Sequence, residues 1–560
     1  MRTTVLLLLL LLAEVTWGES VTIRFVDPQS KSLTPVRVEL IDSGGTSVTA
    51  KNAIPISREC AFAPLPVWLS QPPPNKIDNP FTGTQQHYVS GIGRYDLEAG
   101  TYRLRVFKGP EFEVVEQEFS VSNQTLDMTV EVNRWSDVKT DGWVSADTHL
   151  HLTRQSSGSD ENITLWMAAE DLQIANLLQM GSLTHFAAAP QYAFGDAGTY
   201  FSNGTMLVPG QEHPRTHLFG HGISLGASSQ VDERARYIQY NATFERVREA
   251  GGISGFAHWG AGPSRDGLAL NVPLGNVELL EVLSFEFLYL DAWYELLNLG
   301  YTLVAVAGTD FPCLPSIPGR ERTYLRIDNP LERGAIVDAL RAGRTFVSNG
   351  PMLDLAIEGN GIGSKLELAP LDRVRVAGQI QYDPQQDAIH TLELVHNGET
   401  VRSWPVAQSG QFQFSEEITF ANPGWVALRT VGRKVGETKP PARAFPEWME
   451  SAFSKWMSGG SSSEVDAFLE SREWRNSYAH TSPIYISIQG EAKPNGRAEQ
   501  LLVRLRRIEA MLKNQDIEEV WDWMPYSDGV GAEHLNANAP DLLIQVREAK
   551  EQLRQRVSAD

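Results

Sequence analysis

The amino-acid sequence predicts a multidomain chain: an α/β barrel of alternating strands and helices, flanked by an N-terminal β-sandwich and a C-terminal β-domain, with a mostly helical C-terminal appendage. Three observations predict it. The 560 residues exceed what a single hydrophobic core holds. The hydrophobic pattern changes from short alternating runs to strand–helix alternation after Trp135, and back to short runs after Leu353. Beyond Phe445 it changes again, to helical spacing with mixed charge.

Residues 1–18 read as a secretory signal. Arg2 precedes an apolar run from Val5 to Ala13, and the small Gly18 follows. That run is too short to span a bilayer, and no later segment offers the roughly 20 apolar residues a span needs. The expected location is secreted or periplasmic, with no transmembrane span. Two cysteines, Cys60 and Cys313, fall in different predicted domains and allow at most one bridge. Sequons stand at Asn123, Asn162, Asn203 and Asn241.

Residues 20–135 form the predicted sandwich. Runs such as Val21 to Phe25, Val36 to Ile41, Tyr102 to Phe107 and Met128 to Val132 are β-branched or apolar and are separated by Gly, Pro, Asp and Ser. The stretch Pro64 to Pro80, rich in proline, suits a loop or an edge. Residues 138–351 form the predicted barrel. Helices are expected from Asp232 to Ala250, closed by Gly251 and Gly252, and from Leu331 to Ala342, with Pro330 before and Gly343 after. Residues 352–445, with runs at Thr391 to His396 and Trp425 to Val431, form the second β-domain. Residues 446–560 form the helical appendage, with a linker at Gly459 to Ser463 and helices over Ala498 to Leu512 and Asp541 to Val557.

The net charge of -21, with no long Lys/Arg stripe, argues against nucleic acid as a partner, because an acidic surface repels phosphate backbones. Oligomeric state leaves no mark in the sequence.

The chemistry concentrates in the middle of the chain. The strand Gly142-Trp-Val-Ser-Ala-Asp-Thr-His-Leu-His151 ends in Asp-x-His-x-His. Alternation puts His149 and His151 on one side, roughly 7 Å apart at Cα, so both imidazoles reach one metal. Four further ligand types each follow an apolar run: Glu212, His221, His258 and Asp310. A single histidine at a strand end is more often a hydrogen-bonded core or surface residue than a ligand. Six such residues at successive strand ends are harder to explain that way. In a β/α barrel those ends converge on one mouth. A carboxylate such as Glu212 can bridge two ions, so two divalent metals are expected, zinc or manganese, with iron or cobalt also compatible.

The motifs Asp147-Thr-His-Leu-His151, Gly210-Gln-Glu212, Gly220-His-Gly-Ile-Ser-Leu225, Gly251-Gly-Ile-Ser-Gly-Phe-Ala-His258 and Gly308-Thr-Asp310 together resemble the PHP superfamily. Within it they are similar to the CehA/McbA-type metallohydrolases, as is Ala342-Gly-Arg-Thr-Phe-Val-Ser-Asn-Gly-Pro351. A weaker echo lies at Ala479-His-Thr-Ser-Pro-Ile-Tyr485. The resemblance covers Gly142 to Pro351. It implies a distorted (β/α)7 TIM-like barrel in which His149, His151 and Asp310 hold one ion, Glu212 bridges, and His221 with His258 hold the second. It also implies that Asp147 orients a ligand histidine, which makes Glu212, Asp310 and Asp147 the candidate catalytic carboxylates.

The sequence also departs from that pattern. Many relatives carry an Asp-His pair where this chain has Met180-Gly-Ser-Leu-Thr-His-Phe186, so only His185 remains there. Two residues after Asp310, where many carry a histidine, stands Pro312. Glu170, Asp171, His213 and His217 are further polar residues without an assigned role.

The expected reaction is attack by a metal-activated water on a carbamate, ester or amide bond of a small substrate. Phosphoester cleavage on the same site is the alternative. No Gly-x-Ser-x-Gly elbow suggests a covalent route. Arg320 and Arg322 are candidates for holding an anionic substrate group. A third reading, of another class, is a secreted protein that binds glycan or peptide without catalysis.

Overall fold

The computed structural model describes residues 19–56, 76–78, 84–122, 124–181, 189–216, 218–258, 264–284, 287–312, 316–328, 331–406, 409–435, 476–490, 497–514 and 532–558. The signal segment, most of the stretch rich in proline, Cys60, Asn123, His185, His217, Cys313 and the Gly459 to Ser463 linker lie outside them.

The N-terminal strands are β1 (Glu19–Val26), β2 (Val36–Asp42), β3 (Ile77–Asp78), β4 (Gln85–Val89), β5 (Ile92–Leu97), β6 (Gly100–Phe107), β7 (Val115–Val121) and β8 (Leu126–Glu131). They form a three-stranded sheet, β5-β1-β8, and a five-stranded sheet, β3-β4-β2-β6-β7. Alternation along β6 turns Tyr102, Leu104 and Val106 inward, onto a core shared with Val21, Ile23 and Phe25 of the other sheet.

The central segment runs β9 (Trp143–Leu150), α1 (Asp160–Ala169), β10 (Ile174–Met180), α2 (Gly195–Gly198), β11 (Tyr200–Ser202), β12 (Thr205–Thr216) and β13 (Gly220–Leu225). It continues through α3 (Tyr240–Glu249), β14 (Ile253–Phe256), α4 (Ser264–Asn271), β15 (Leu279–Ser284), β16 (Phe287–Leu288) and α5 (Asp291–Asn298). It ends with β17 (Val304–Ala307), β18 (Arg322–Arg326), α6 (Arg333–Arg341) and β19 (Thr345–Ser348). The two expected helices appear shortened, as α3 and α6, because residues 234–236 turn as a separate 3-10 segment ahead of α3. The sandwich docks on the end of α1 through buried charge. Arg37 Nε lies 2.6 Å from Glu170 Oε1, to which the Tyr88 hydroxyl also donates, and Asp171 receives Arg134 and Lys139.

The expected (β/α)7 barrel is not what the chain forms. The protein is mostly strand, laid in large sheets. Strands β9, β10 and β12 are parallel, but β13 runs antiparallel to both β12 and β14, and β18 runs antiparallel to both β9 and β19. The reason lies in the connections. Only residues 217–219 link β12 to β13, whereas a parallel crossover needs about a dozen residues or more. Glu212 and His221 therefore flank a hairpin and do not end two parallel strands.

The later elements also depart from separate units. Strands β20 (Met352–Ile357), β21 (Asn360–Gly361), β22 (Lys365–Leu368), β23 (Arg373–Gln381), β24 (Asp387–Ala388), β25 (Thr391–His396), β26 (Glu399–Pro405), β27 (Gln411–Thr419) and β28 (Gly424–Lys434) follow. Of these, β21-β20-β23-β27 form their own sheet. Then β29 (Asn476–Thr481) pairs with β19 through Val347 and His480 and with β28 through Thr430 and Ala479, and β30 (Ile484–Ile488) pairs with β22 and β28. The second β-region is therefore continuous with the central sheet, and one core joins Trp143, Tyr324 and Phe346 to Leu392, Leu394 and Leu428. Nor is the expected helical appendage, in its described residues, helical throughout, since these two sheet strands precede the helices. Helices α7 (Glu499–Asn514) and α8 (Ala532–Ser558) then bury Leu505, Ile508, Leu542 and Val546 in the core that holds Trp293 of α5 and Phe256 of β14. Among the described residues, no helix is long and apolar enough to cross a membrane.

Candidate metal centre

Reversal of β13 brings its first residues to the end of the sheet where β9, β14 and β17 finish. His149 and His151 close β9, His221 opens β13, His258 follows β14 and Asp310 follows β17. Glu212 reaches the same place from within β12, level with Met180 at the end of β10, and a bulge follows it. Glu212 and Arg215 pair with Ile223 and His221, so three steps on one strand oppose two on the other, which turns both side chains to one face.

The six residues converge. Three buried groups each bring their ligand atoms within 4.8 Å of one another: His149 with His151 and Glu212, His149 with His258 and Asp310, and Glu212 with His221 and His258. Glu212 Oε1 lies 2.6 Å from His221 Nδ1 and 3.5 Å from His258 Nε2, while Glu212 Oε2 lies 3.4 Å from His151 Nε2. Asp310 Oδ1 lies 3.0 Å from His151 Nε2 and 3.5 Å from His149 Nε2. These clusters can bind a metal ion.

The ring tautomers follow from the outer contacts. His149 Nδ1 lies 2.9 Å from Glu281 Oε2, and His151 Nδ1 lies 2.8 Å from the Leu178 carbonyl. Those oxygens can only accept, so each Nδ1 carries a proton and each neutral ring presents an Nε2 lone pair inward. The two Nε2 atoms are 3.0 Å apart. Two lone pairs at that distance repel unless a cation lies between them, either a proton or a metal. Nitrogens of His149, His151, His221, His258 and Arg215 gather around the two Glu212 oxygens.

The electrostatics agree. Burial pushes His149 down, but the Glu281 and Asp310 carboxylates override it and hold the ring well above its ordinary range. His151 is raised despite burial by Asp310 and Glu212. Burial would raise Glu212 and Asp310, yet Arg215 and His221 hold Glu212 well below the usual range, and His149 with His151 lower Asp310. His221 is pushed down to about 3 by burial, with Arg215 adding to it. The pocket therefore stabilises positive charge among ionised carboxylates, and divalent ions would displace the protons held there. Asp310, at φ 52°, and His258, at φ 20°, both have left-handed backbones, a strain commonly held at functional sites.

Other expected site residues lie elsewhere. Asp147 touches no ligand ring. Its carboxylate accepts from the backbone N–H groups of His149, Thr309 and Gly319 and from the Thr309 hydroxyl, tying the end of β9 to the turn that carries Asp310. Burial raises it to about 6. The residue that orients a ligand ring is Glu281. Arg322 is not available to a substrate, because its buried guanidinium donates to the carbonyls of Gly319, Glu170 and Asp171. Half-buried Arg320 sits on the turn before β18, its N–H donating to Ile317 O. Glu170 and Asp171 anchor the sandwich. His213, lowered to about 3 by burial, packs edge-on against Tyr237.

Two contributors, Glu281 and Arg215, stand outside the sequence motifs, and a third, Gly308, stands within one for a reason that only packing shows. Glu281 left a signal, being the lone charge inside the apolar strand Leu279-Leu-Glu-Val-Leu-Ser284. Its other oxygen lies 3.3 Å from the His258 backbone N–H, so one carboxylate supports two ligands. Arg215 gave no comparable signal, because its place beside Glu212 depends on the bulge. At Gly308, a Cβ would lie 2.4 Å from His149 Cβ and 2.9 Å from His149 N, so only glycine lets β17 approach β9 this closely.

No protein-family model and no curated protein matches this chain. Among solved structures, BcpA, the major pilin subunit of Bacillus cereus, aligns over 84% of this chain and 69% of its own at 7% identity, with a TM-score of 0.24. A point variant of that subunit aligns over 75% of this chain and 65% of its own at 8% identity, with a TM-score of 0.22. At those TM-scores neither likeness carries an argument about fold or function.

Proposed function

We propose that this protein is a secreted metal-dependent hydrolase of small carbamate, ester or amide substrates. In its ligand motifs it is similar to the CehA/McbA-type members of the PHP superfamily. The observation that carries this reading is the inward pair of Nε2 atoms on His149 and His151, 3.0 Å apart, with both Nδ1 atoms tied outward and two carboxylates in the same pocket. The donor set of four imidazoles and two carboxylates suits two divalent ions, zinc or manganese. When bound, such ions supply hydroxide at neutral pH and polarise the bond to be cleaved.

The chain's own residues do the rest. Glu281 and the Leu178 carbonyl fix the His149 and His151 rings, so no ligand must reorganise as an ion enters. Glu212, at 1% exposure, lies on the dry side, whereas His258 and Asp310, at 8% and 7%, are the most exposed of the six. Substrate approaches from their side. Secretion rests on the N-terminal segment, where Arg2 precedes the apolar run Val5 to Ala13.

The test is elemental analysis of purified protein, with aryl ester, carbamate, amide and phosphoester substrates tried before and after chelation. Turnover of the first three classes that is lost on chelation and restored by zinc or manganese supports the proposal. Turnover of phosphoesters alone moves the assignment to a phosphoesterase. Absence of metal and of turnover after reconstitution overturns it in favour of a binding protein.

A further inference from the structure

Arg215 places a guanidinium inside the cluster. Its side chain is 4% exposed and its Nε lies 3.0 Å from Glu212 Oε2. The bulge in β12 puts it on the face that carries Glu212 and His221, and the Tyr237 hydroxyl holds its backbone by accepting from Arg215 N–H and donating to Arg215 O, each at 3.1 Å.

The two Glu212 oxygens have different neighbours. Oε1 faces His221 and His258, whereas Oε2 faces His151 and Arg215. A single ion need not contest Oε2. It can use Oε1 with His221 and His258, or His149 and His151 with Asp310. The position served by His149, His151 and Asp310 lies on the Oε2 side, where that oxygen is shared with a guanidinium, so a dication there enters beside an existing positive charge.

We propose that Arg215 makes the two ion positions unequal, so that the protein keeps one divalent ion tightly and binds the second more weakly, as an exchangeable ion. This rests on the metal-centre reading above. The cost falls on the doubly loaded state, which makes catalysis dependent on the free concentration of the second ion.

The test is titration of the metal-free full-length protein with manganese alone, following heat and the signal of free aqueous manganese. The wild type should show two steps separated by at least about tenfold in affinity, with about one ion per chain surviving dialysis. Arg215→Met should narrow the separation and retain a second ion, and Arg215→Lys, which keeps the charge, should restore it. Two steps of equal affinity in the wild type, or a separation unchanged in Arg215→Met, overturns the proposal and leaves the metal centre standing. No manganese bound by any of the proteins sinks the metal centre itself. If Arg215→Met does not fold, the wild-type separation and its persistence in Arg215→Lys decide the matter.

Discussion

Glu281 Oε2 sits 2.9 Å from His149 Nδ1 in a fully buried contact, and this carboxylate, rather than Asp147, sets the direction of the first ligand ring. Glu281→Gln keeps the shape but removes the charge that makes the ring basic. Metal affinity should fall about 10- to 100-fold, read by competition with a chromophoric chelator. An unchanged affinity would mean that the contact only fills space.

His149→Ala combined with His151→Ala removes both inward Nε2 donors and leaves the sandwich untouched. At least one ion and nearly all turnover should be lost, while the protein keeps its strand-rich circular dichroism spectrum. Full activity in the double variant would exclude this cluster as the active site.

Gly308→Ala places a methyl group against His149 Cβ and backbone, neither of which can swing aside. Metal content should fall as β9 and β17 separate, and the melting temperature should drop by several degrees. Wild-type metal content would show that the turn shifts without disturbing the ligands.

His480 offers a pH test away from the metal. Its Nδ1 donates to Thr481 O and its Nε2 accepts from the Tyr294 hydroxyl, both of which suit a neutral ring, and burial lowers it from 6.5 to about 3. A lowered folded value means that the unfolded chain binds the proton first. The contribution is therefore complete above pH 6.5 and is lost as pH falls toward 3, at about 1.4 kcal/mol per pH unit. His480→Gln should flatten the fall in stability over that window by about this slope, measured by urea unfolding at several pH values. An unchanged slope would mean that the folded protein protonates this ring as readily as the unfolded chain does.

The six clustered residues could be read from the sequence because each stands beside an apolar run, and such runs become strands whichever way they point. Direction was less legible. Nothing in Gly220-His221 distinguishes the start of an antiparallel strand from the end of a parallel one, except the short link from Thr216. Arg215 depends on a bulge that hydrophobic periodicity does not report. The place of β29 was hidden for a different reason, since its partner strands β19 and β28 lie far back in the chain, and pairing at that distance leaves no local pattern.

Insertion of β29 between β19 and β28 also bears on how the chain is made. During synthesis β19 and β28 emerge well before residues 476–481, so the nascent protein must carry two unsatisfied strand edges. A polypeptide stopped short of residue 476 would hold all six ligand residues and still present those edges to its neighbours. In this protein β29 is the strand that satisfies both edges at once.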